Sequence, residues 1–303
     1  MKKKNKTGLK IRRIKNKGCW GIAFLLLFIT PHLTPPSVKN LERQIEITPQ
    51  EKSQGNILAF RLKTSSITLS LCTQGHCYRG KTSWQLVPEP MNYYGDAGLL
   101  ITNQSQGWTL RDYEVTGIIF DRSQRHLTHL RLPAQVVKQL EESEDAIEVD
   151  TARNLDLYKI KSERPFSTHW RLPIVSPVTS KFGSPRLPPD GTAYAHTGLD
   201  FRAPTGTQVR ACSDGIVLDQ SLDPISGNVV TIDHGHGLLS RYMHLSAFKV
   251  QVGDEVKGGQ LIGLSGTTGR SEAPHLHWEM RLYGNPIDPL VTMHLMERLA
   301  DLE

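Results

Sequence analysis

His275 and His277 stand two residues apart in the run Pro274, His275, Leu276, His277, Trp278, Glu279, which is apolar between its polar members. The alternation predicts a strand, on which every second side chain shares a face, so His275, His277 and Glu279 point the same way. Imidazoles and a carboxylate gathered on one sheet face need partners, because burying polar groups without them costs free energy. A metal ion is the natural partner, although two histidines at this spacing also occur in ordinary strands. A second set lies upstream, where His196 and Asp200 are four apart with Gly198 between them. That spacing puts both side chains on one face of an extended segment, and the glycine lets the backbone bend around a small object. Joined to His277, they make a donor set of two histidines and one carboxylate. Three such ligands leave the fourth tetrahedral position of a zinc ion open, the arrangement of a catalytic and not a structural site.

The elements that must carry these residues read as short strands. From Arg171 onward the chain is dense in Gly and Pro and holds the strand-like runs QVRA, GIVLD, NVVTID, QLIGLSG and HLHWEM, with no helix expected before the last dozen residues. This predicts an all-β domain over 171–290, followed by a C-terminal tail over 291–303. Short alternating runs over 56–166 predict a smaller, mainly β accessory domain, with one helix starting at Pro133 and carrying Val136, Val137 and Leu140 on a stripe. Residues 31–55, rich in Pro, Ser, Gln and charge, read as a linker.

The net charge of +6 at first suggests a nucleic-acid or membrane partner. Its location removes nucleic acid: residues 1–17 hold seven lysines and two arginines with no acid, which leaves the remainder of the chain at −3. Residues 19–30 are apolar or small and fall short of the roughly eighteen residues of a membrane span. Residues 1–30 therefore read as an export signal, either cleaved or kept as an anchor in the cytoplasmic membrane through 18–30, and the chain beyond residue 30 is expected in the periplasm or cell envelope. In that oxidising setting Cys72 and Cys77, flanking a turn-like loop, predict a disulfide, with a half zinc site using His76 as the alternative. Cys212, in an apolar region, reads as a small buried residue.

Three motifs succeed one another along the chain: His196-x-x-x-Asp200, then Arg241-Tyr242-Met243-His244-Leu245, then Pro274-His275-Leu276-His277. With PVTSKFGSPR before them, APTGTQVRACSDGIV after the first pair and VGDEVKGGQLIGLSGTTG before the last, they closely resemble the lysostaphin-type or LytM-type zinc endopeptidases, peptidase family M23. The resemblance covers about residues 173–290. It implies one zinc ion held by His196, Asp200 and His277, with His244 and His275 catalytic and not ligating. It further implies metal-assisted hydrolysis of the peptide cross-links of bacterial peptidoglycan. The two imidazoles would manage the proton of the attacking water and the developing charge, and which of them is the base stays open. The alternative is a non-catalytic LytM-like activator of cell-wall amidases, a class that predicts substitutions among these five residues; none is seen. Tyr194 either helps hold the oxyanion and line the groove or is an exposed loop aromatic. Glu279 either accepts a hydrogen bond from a site histidine or pairs with Arg281. His234 and His236, in D-H-G-H-G, are expected at a hairpin turn with a rim or structural role.

Overall fold

The computed structural model of the chain describes residues 132–187 apart from 161 and 163, residues 194–301, and, earlier in the chain, strands only. The chain is mainly β, as the alternating runs predict. Its backbone groups into two compact units, one within Met1–Phe120 and the other essentially Asp121–Glu303.

The strands before residue 120 are β1 (Lys10–Arg13), β2 (Ile45–Ile47), β3 (Ile57–Leu62), β4 (Ser70–Thr73), β5 (His76–Arg79), β6 (Gln85–Pro88), β7 (Gly98–Asn103) and β8 (Trp108–Thr116). They form a five-stranded sheet in the order β1-β8-β7-β4-β5 and a three-stranded sheet β2-β3-β6. The register of β4 on β5 sets Cys72 opposite Cys77. The apolar run 19–30 lies outside the described residues, and among those described no helix is long and apolar enough to cross a membrane.

The second unit opens with β9 (Thr128–His129), α1 (Ala134–Glu141) and α2 (Glu144–Leu157). Pro133 occupies the N-cap of α1, but the expected single helix is divided in two by Glu142 and Ser143. Next come β10 (Val178–Ser180), β11 (Pro185–Leu187), β12 (Tyr194–Ala195), β13 (Gly198–Arg202), β14 (Gln208–Arg210), β15 (Gly215–Asp223) and β16 (Gly227–Asp233). The last strands are β17 (Leu238–Phe248), β18 (Glu255–Val256), β19 (Leu261–Ser265), β20 (His275–Leu282) and β21 (Asn285–Ile287). Ten of them make one sheet with the main order β10-β13-β20-β17-β16-β15-β18, while β19 joins β17 to β14 and β21 lies on β20.

The two faces of β20 explain the sheet. Leu276, Trp278, Met280 and Leu282 are fully buried on one side, where the register sets them against Phe201, Leu199, Tyr242 and Leu238 of the neighbouring strands. Each such side chain contributes on the order of 2 kcal/mol by leaving water. On the other side the same register pairs Asp200 with His277, Arg202 with His275, Arg241 with Glu279 and Met243 with His277. One short strand thus has an apolar face that anchors it and a polar face that it presents. The chain's last described element is α3 (Pro289–Ala300), capped by Asp288, whose carboxylate accepts from the backbone N–H of Leu290 at 2.9 Å. Leu295, Met296 and Leu299 on it are buried, so these residues pack on the unit as a helix.

Candidate active site

Asp200 and His277 face each other directly across the β13–β20 pair, so their side chains meet without help from a loop. His196 enters from just before β13, where its backbone N–H donates to Ser184 O at 2.8 Å. His196 Nε2 lies 3.1 Å from Asp200 Oδ1 and 3.0 Å from His277 Nδ1, and those two atoms are 2.8 Å apart. All three residues are buried. Gly198 makes room for this by close approach and not by a bend: a Cβ there would sit 2.4 Å from the Trp278 carbonyl oxygen and 2.9 Å from His277 Nε2.

The hydrogen bonds fix what these atoms offer. His196 Nδ1 is 2.9 Å from the carbonyl of Lys181, so that nitrogen donates and Nε2 carries the lone pair. That lone pair faces a carboxylate oxygen and a second ring nitrogen, a convergence of acceptors that a cation relieves. A tetrahedral ion with bonds of about 2.0–2.1 Å sets its ligands roughly 3.3 Å apart, close to the separations found here, so the donor set fits zinc. Arg186 holds the other carboxylate oxygen, its Nη2 donating to Asp200 Oδ2 and to Ser180 Oγ, each at 2.6 Å. Burial pushes the Asp200 carboxyl up, but the two imidazoles beside it outweigh this and hold the group well below the usual carboxylate range. Sequence spacing gave no signal for Arg186 beyond its place in the PVTSKFGSPR segment.

Two more imidazoles border the triangle. His275 shares the face of His277, with its Nε2 3.8 Å from Asp200 Oδ1 and its Nδ1 2.8 Å from the Ala273 carbonyl. His244 Nδ1 donates to Thr268 O at 2.7 Å, and its ring centroid is 4.7 Å from that of His275. Both rings therefore keep Nε2 as the free basic atom. The place of His244 breaks the strand's period. Its neighbour Met243 is the cross-strand partner of His277, so strict alternation would turn His244 into the core. A φ of 59° at an interruption of the β16–β17 pairing turns the ring onto the polar face instead. Burial, then the neighbouring His275 and His277, push its pKa down to about 3.

A groove of about 640 Å³ runs over these residues and on past Tyr194, Arg270 and α2. Tyr194 is half-buried in its wall, with its hydroxyl 3.1 Å from Arg270 Nη2. Glu279 shares the strand face of His277, yet its hydrogen bonds go to arginines: Oε1 accepts from Arg281 Nη2 at 2.8 Å and Oε2 from Arg241 Nη1 at 3.3 Å. Burial raises its pKa, but the two guanidiniums overcome this and hold it at about 2. His234 is a core residue: Nδ1 donates to Asp214 O at 2.7 Å and Nε2 accepts from Ser240 Oγ at 2.7 Å, while burial pulls its pKa down to about 4. His236, at the same hairpin, has φ 51° and packs edge-on to Phe166. Cys212 is fully buried and its thiol is pushed up to about 11 by burial, which makes it inert. Among the described residues His196, Asp200 and His277 form the one group of His, Cys, Asp or Glu that could hold a metal ion.

The sheet and its donor set define a mainly β domain with a candidate metal site. Residues 194–289 match Peptidase family M23, and this segment is a domain of that family. Over 113 residues the chain is 44% identical to DD-carboxypeptidase/endopeptidase Mpg of Neisseria meningitidis, a match that covers 37% of the chain and 26% of that protein. Over 127 residues it is 41% identical to peptidoglycan DD-endopeptidase ShyA of Vibrio cholerae, covering 42% of the chain and 28% of that protein. Glycyl-glycine endopeptidase ALE-1 of Staphylococcus capitis is 48% identical over 86 residues, 28% of the chain and 24% of that protein. The chain thus matches about a quarter of the length of these curated relatives. A crystal structure from Pseudomonas aeruginosa assigned to peptidase M23 shares the fold over 80% of this chain and 96% of its own, with a TM-score of 0.59 at 23% identity.

Proposed function

We propose that the chain is a zinc-dependent endopeptidase that hydrolyses peptide cross-links of bacterial peptidoglycan in the cell envelope. The observation that carries this is the triangle of His196 Nε2, Asp200 Oδ1 and His277 Nδ1 on the floor of an open groove, with two non-converging imidazoles beside it. His196, Asp200 and His277 would hold a zinc ion, which would supply Lewis acidity to a peptide carbonyl and could bring the pKa of a water to about 7. His244 and His275 supply the proton transfers. Each donates through Nδ1 to a backbone carbonyl, so each presents a bare Nε2 that can take a proton from the attacking water. The imidazolium so formed can donate to the developing oxyanion and then return its proton to the departing amine. The wall substrate is supported by the activities for which Mpg, ShyA and ALE-1 are named and by the export segment expected over residues 1–30. An amidase activator would have no use for all five residues.

The test is to purify residues 31–303, measure bound zinc and count new amino termini released from peptidoglycans of different cross-link type. His196→Ala should lose both zinc and hydrolysis. His275→Ala should keep its zinc and lose at least about a hundredfold in rate. If the zinc-loaded wild type releases no new termini from any wall type, the peptidase reading fails.

A further inference from the structure

We infer that Asp223 is a positioning residue for the two proton-transfer imidazoles: its carboxylate shapes the β15–β16 hairpin tip, and that tip holds both His244 and the loop leading to His275. That the imidazoles act in hydrolysis rests on the peptidase reading above; the positioning does not.

The tip follows from its sequence. Asp223 and Gly227 are cross-strand partners, with Pro224, Ile225 and Ser226 between them. Asp and Pro are favoured at the first two positions of a type I turn, and Gly227 follows in the left-handed region at φ 64°, which turns the chain back along β16. The Asp223 carboxylate closes the turn, its Oδ1 accepting from the backbone N–H of Ser226. Both residues are buried, so without that oxygen the N–H must move to find another acceptor. The tip is also packed hard on the 266–274 loop, for a Cβ on Gly227 would lie 2.3 Å from Thr268 Oγ1.

Two successive carbonyls of the tip reach the segments that carry the imidazoles. Ser226 O accepts the backbone N–H of His244 at 2.8 Å, and His244 is the residue whose left-handed backbone brings its ring to the polar face. Ile225 O accepts the backbone N–H of Arg270 at 2.9 Å. The loop so held supplies Thr268 O to His244 Nδ1 and Ala273 O to His275 Nδ1. Asn228, just beyond the tip, adds a backbone N–H to Thr268 Oγ1 at 2.9 Å. The two rings, 4.7 Å apart between centroids, are thus tied to one short hairpin tip, and Asp223 reaches them through Ser226. Its other oxygen makes no hydrogen bond and lies 3.9 Å from Arg241 Nη2 and 4.0 Å from Arg153 Nη2. Asp223 therefore has two separable roles, acceptor for Ser226 and charge beside two arginines, and the first is the one that positions the rings.

The experiment uses the zinc-loaded full chain and three variants. Asp223→Ala removes both roles, Asp223→Asn keeps an acceptor without the charge, and Asp223→Glu keeps the charge but carries the acceptor one carbon further. On a soluble cross-linked peptidoglycan fragment that the wild type cleaves, the Ala and Glu variants should keep their zinc, hold KM within about twofold and lose at least about tenfold in kcat, since small misplacements of a proton-transfer group are costly. Asp223→Asn should stay within about threefold of wild type. A readout independent of activity is the ring Nδ1–H of His244, seen by NMR and assigned by its disappearance in His244→Gln. It should exchange with water about tenfold faster in the Ala and Glu variants and at the wild-type rate in Asp223→Asn. Wild-type kcat in Asp223→Ala, or a loss in Asp223→Asn with Asp223→Glu intact, overturns the positioning role and leaves Asp223 a charge partner of the arginines. If Asp223→Ala does not fold, the opposed predictions for Asn and Glu decide alone. If the wild type cleaves no fragment, the peptidase reading fails by itself, and the positioning then stands or falls on the ring proton: unchanged exchange in Asp223→Glu overturns it.

Discussion

The two oxygens of Asp200 face different partners. Oδ1 meets His196 and His277, while Oδ2 is taken by Arg186 at 2.6 Å. Arg186 thereby fixes the carboxylate's rotation and leaves the other oxygen facing the two imidazoles, where the proposed metal would sit. Arg186→Ala should weaken zinc binding roughly 10–100-fold, read by competition with a chelator; wild-type affinity in that variant would show that Asp200 needs no brace. A separate prediction concerns His234, remote from the metal triangle. Its folded pKa of about 4 lies below the roughly 6.5 of an unfolded histidine, so the unfolded chain takes up the proton first as pH falls. Its contribution is complete above about pH 6.5 and is lost toward pH 4, on the order of 3 kcal/mol. Urea denaturation across that range should show a steeper loss for wild type than for His234→Gln, and parallel curves would refute the assignment. At this scale the shared face of His275 and His277 was legible because a spacing of two survives in any strand, whereas His196 stands just before β13 and its spacing of four does not by itself bring it to Asp200. His244 was not legible, because its side chain reaches the site only through a left-handed residue at a break in the pairing; family resemblance alone pointed to it.

At the scale of elements, the site depends on how closely β13 can approach β20. Period two revealed which residues of each strand share a face, but not that the strands are neighbours, since register is decided by buried partners far away in the chain. Leu199 against Trp278 and Phe201 against Leu276 decide it, and once those pairs form, Asp200 must face His277. Gly198 is the contact that lets this happen. In Gly198→Ala the new methyl meets a backbone oxygen at 2.4 Å, which cannot rotate away. The strands must part, with a loss of about 1–3 kcal/mol of stability, and Asp200 is carried away from His277. Metal analysis of the purified variant should find less than half the wild-type zinc, and full occupancy at unchanged stability would show that the strands can yield. The predicted helix from Pro133 exists, but its division at residues 142–143 had no Gly or Pro to announce it.

At the scale of the whole molecule, the peptidase unit extends further toward the N-terminus than its motifs do. The resemblance begins near residue 173, yet Trp170 packs at a tilt against His234, ring centroids 4.7 Å apart, and Ser213 donates to His169 O at 2.8 Å. Further back, α2 and the residue after it reach the polar face of the sheet. Asn154 Oδ1 and the Tyr158 hydroxyl accept from Arg241 at 3.1 and 2.6 Å, and Arg281 lies 4.2 Å above the Tyr158 ring. These partners were invisible in the sequence because they complete charges on β17 and β20 that lie more than eighty residues away. Arg241 is only 4% exposed, so removing them leaves a guanidinium buried with fewer acceptors than its donors require. A fragment of residues 171–303 loses Tyr158, Asn154 and Trp170 together, whereas one of residues 131–303 keeps them. With hydrogen bonds to a charged group worth about 1.5–3 kcal/mol each, the shorter fragment should melt on the order of 10 °C below the longer. Tyr158→Phe in the longer fragment should reproduce part of that loss, because it removes the shortest of the bonds to Arg241 and keeps the ring under Arg281. Equal melting temperatures for the two fragments would mean that the sheet alone satisfies Arg241, and that α2 is only a wall of the groove.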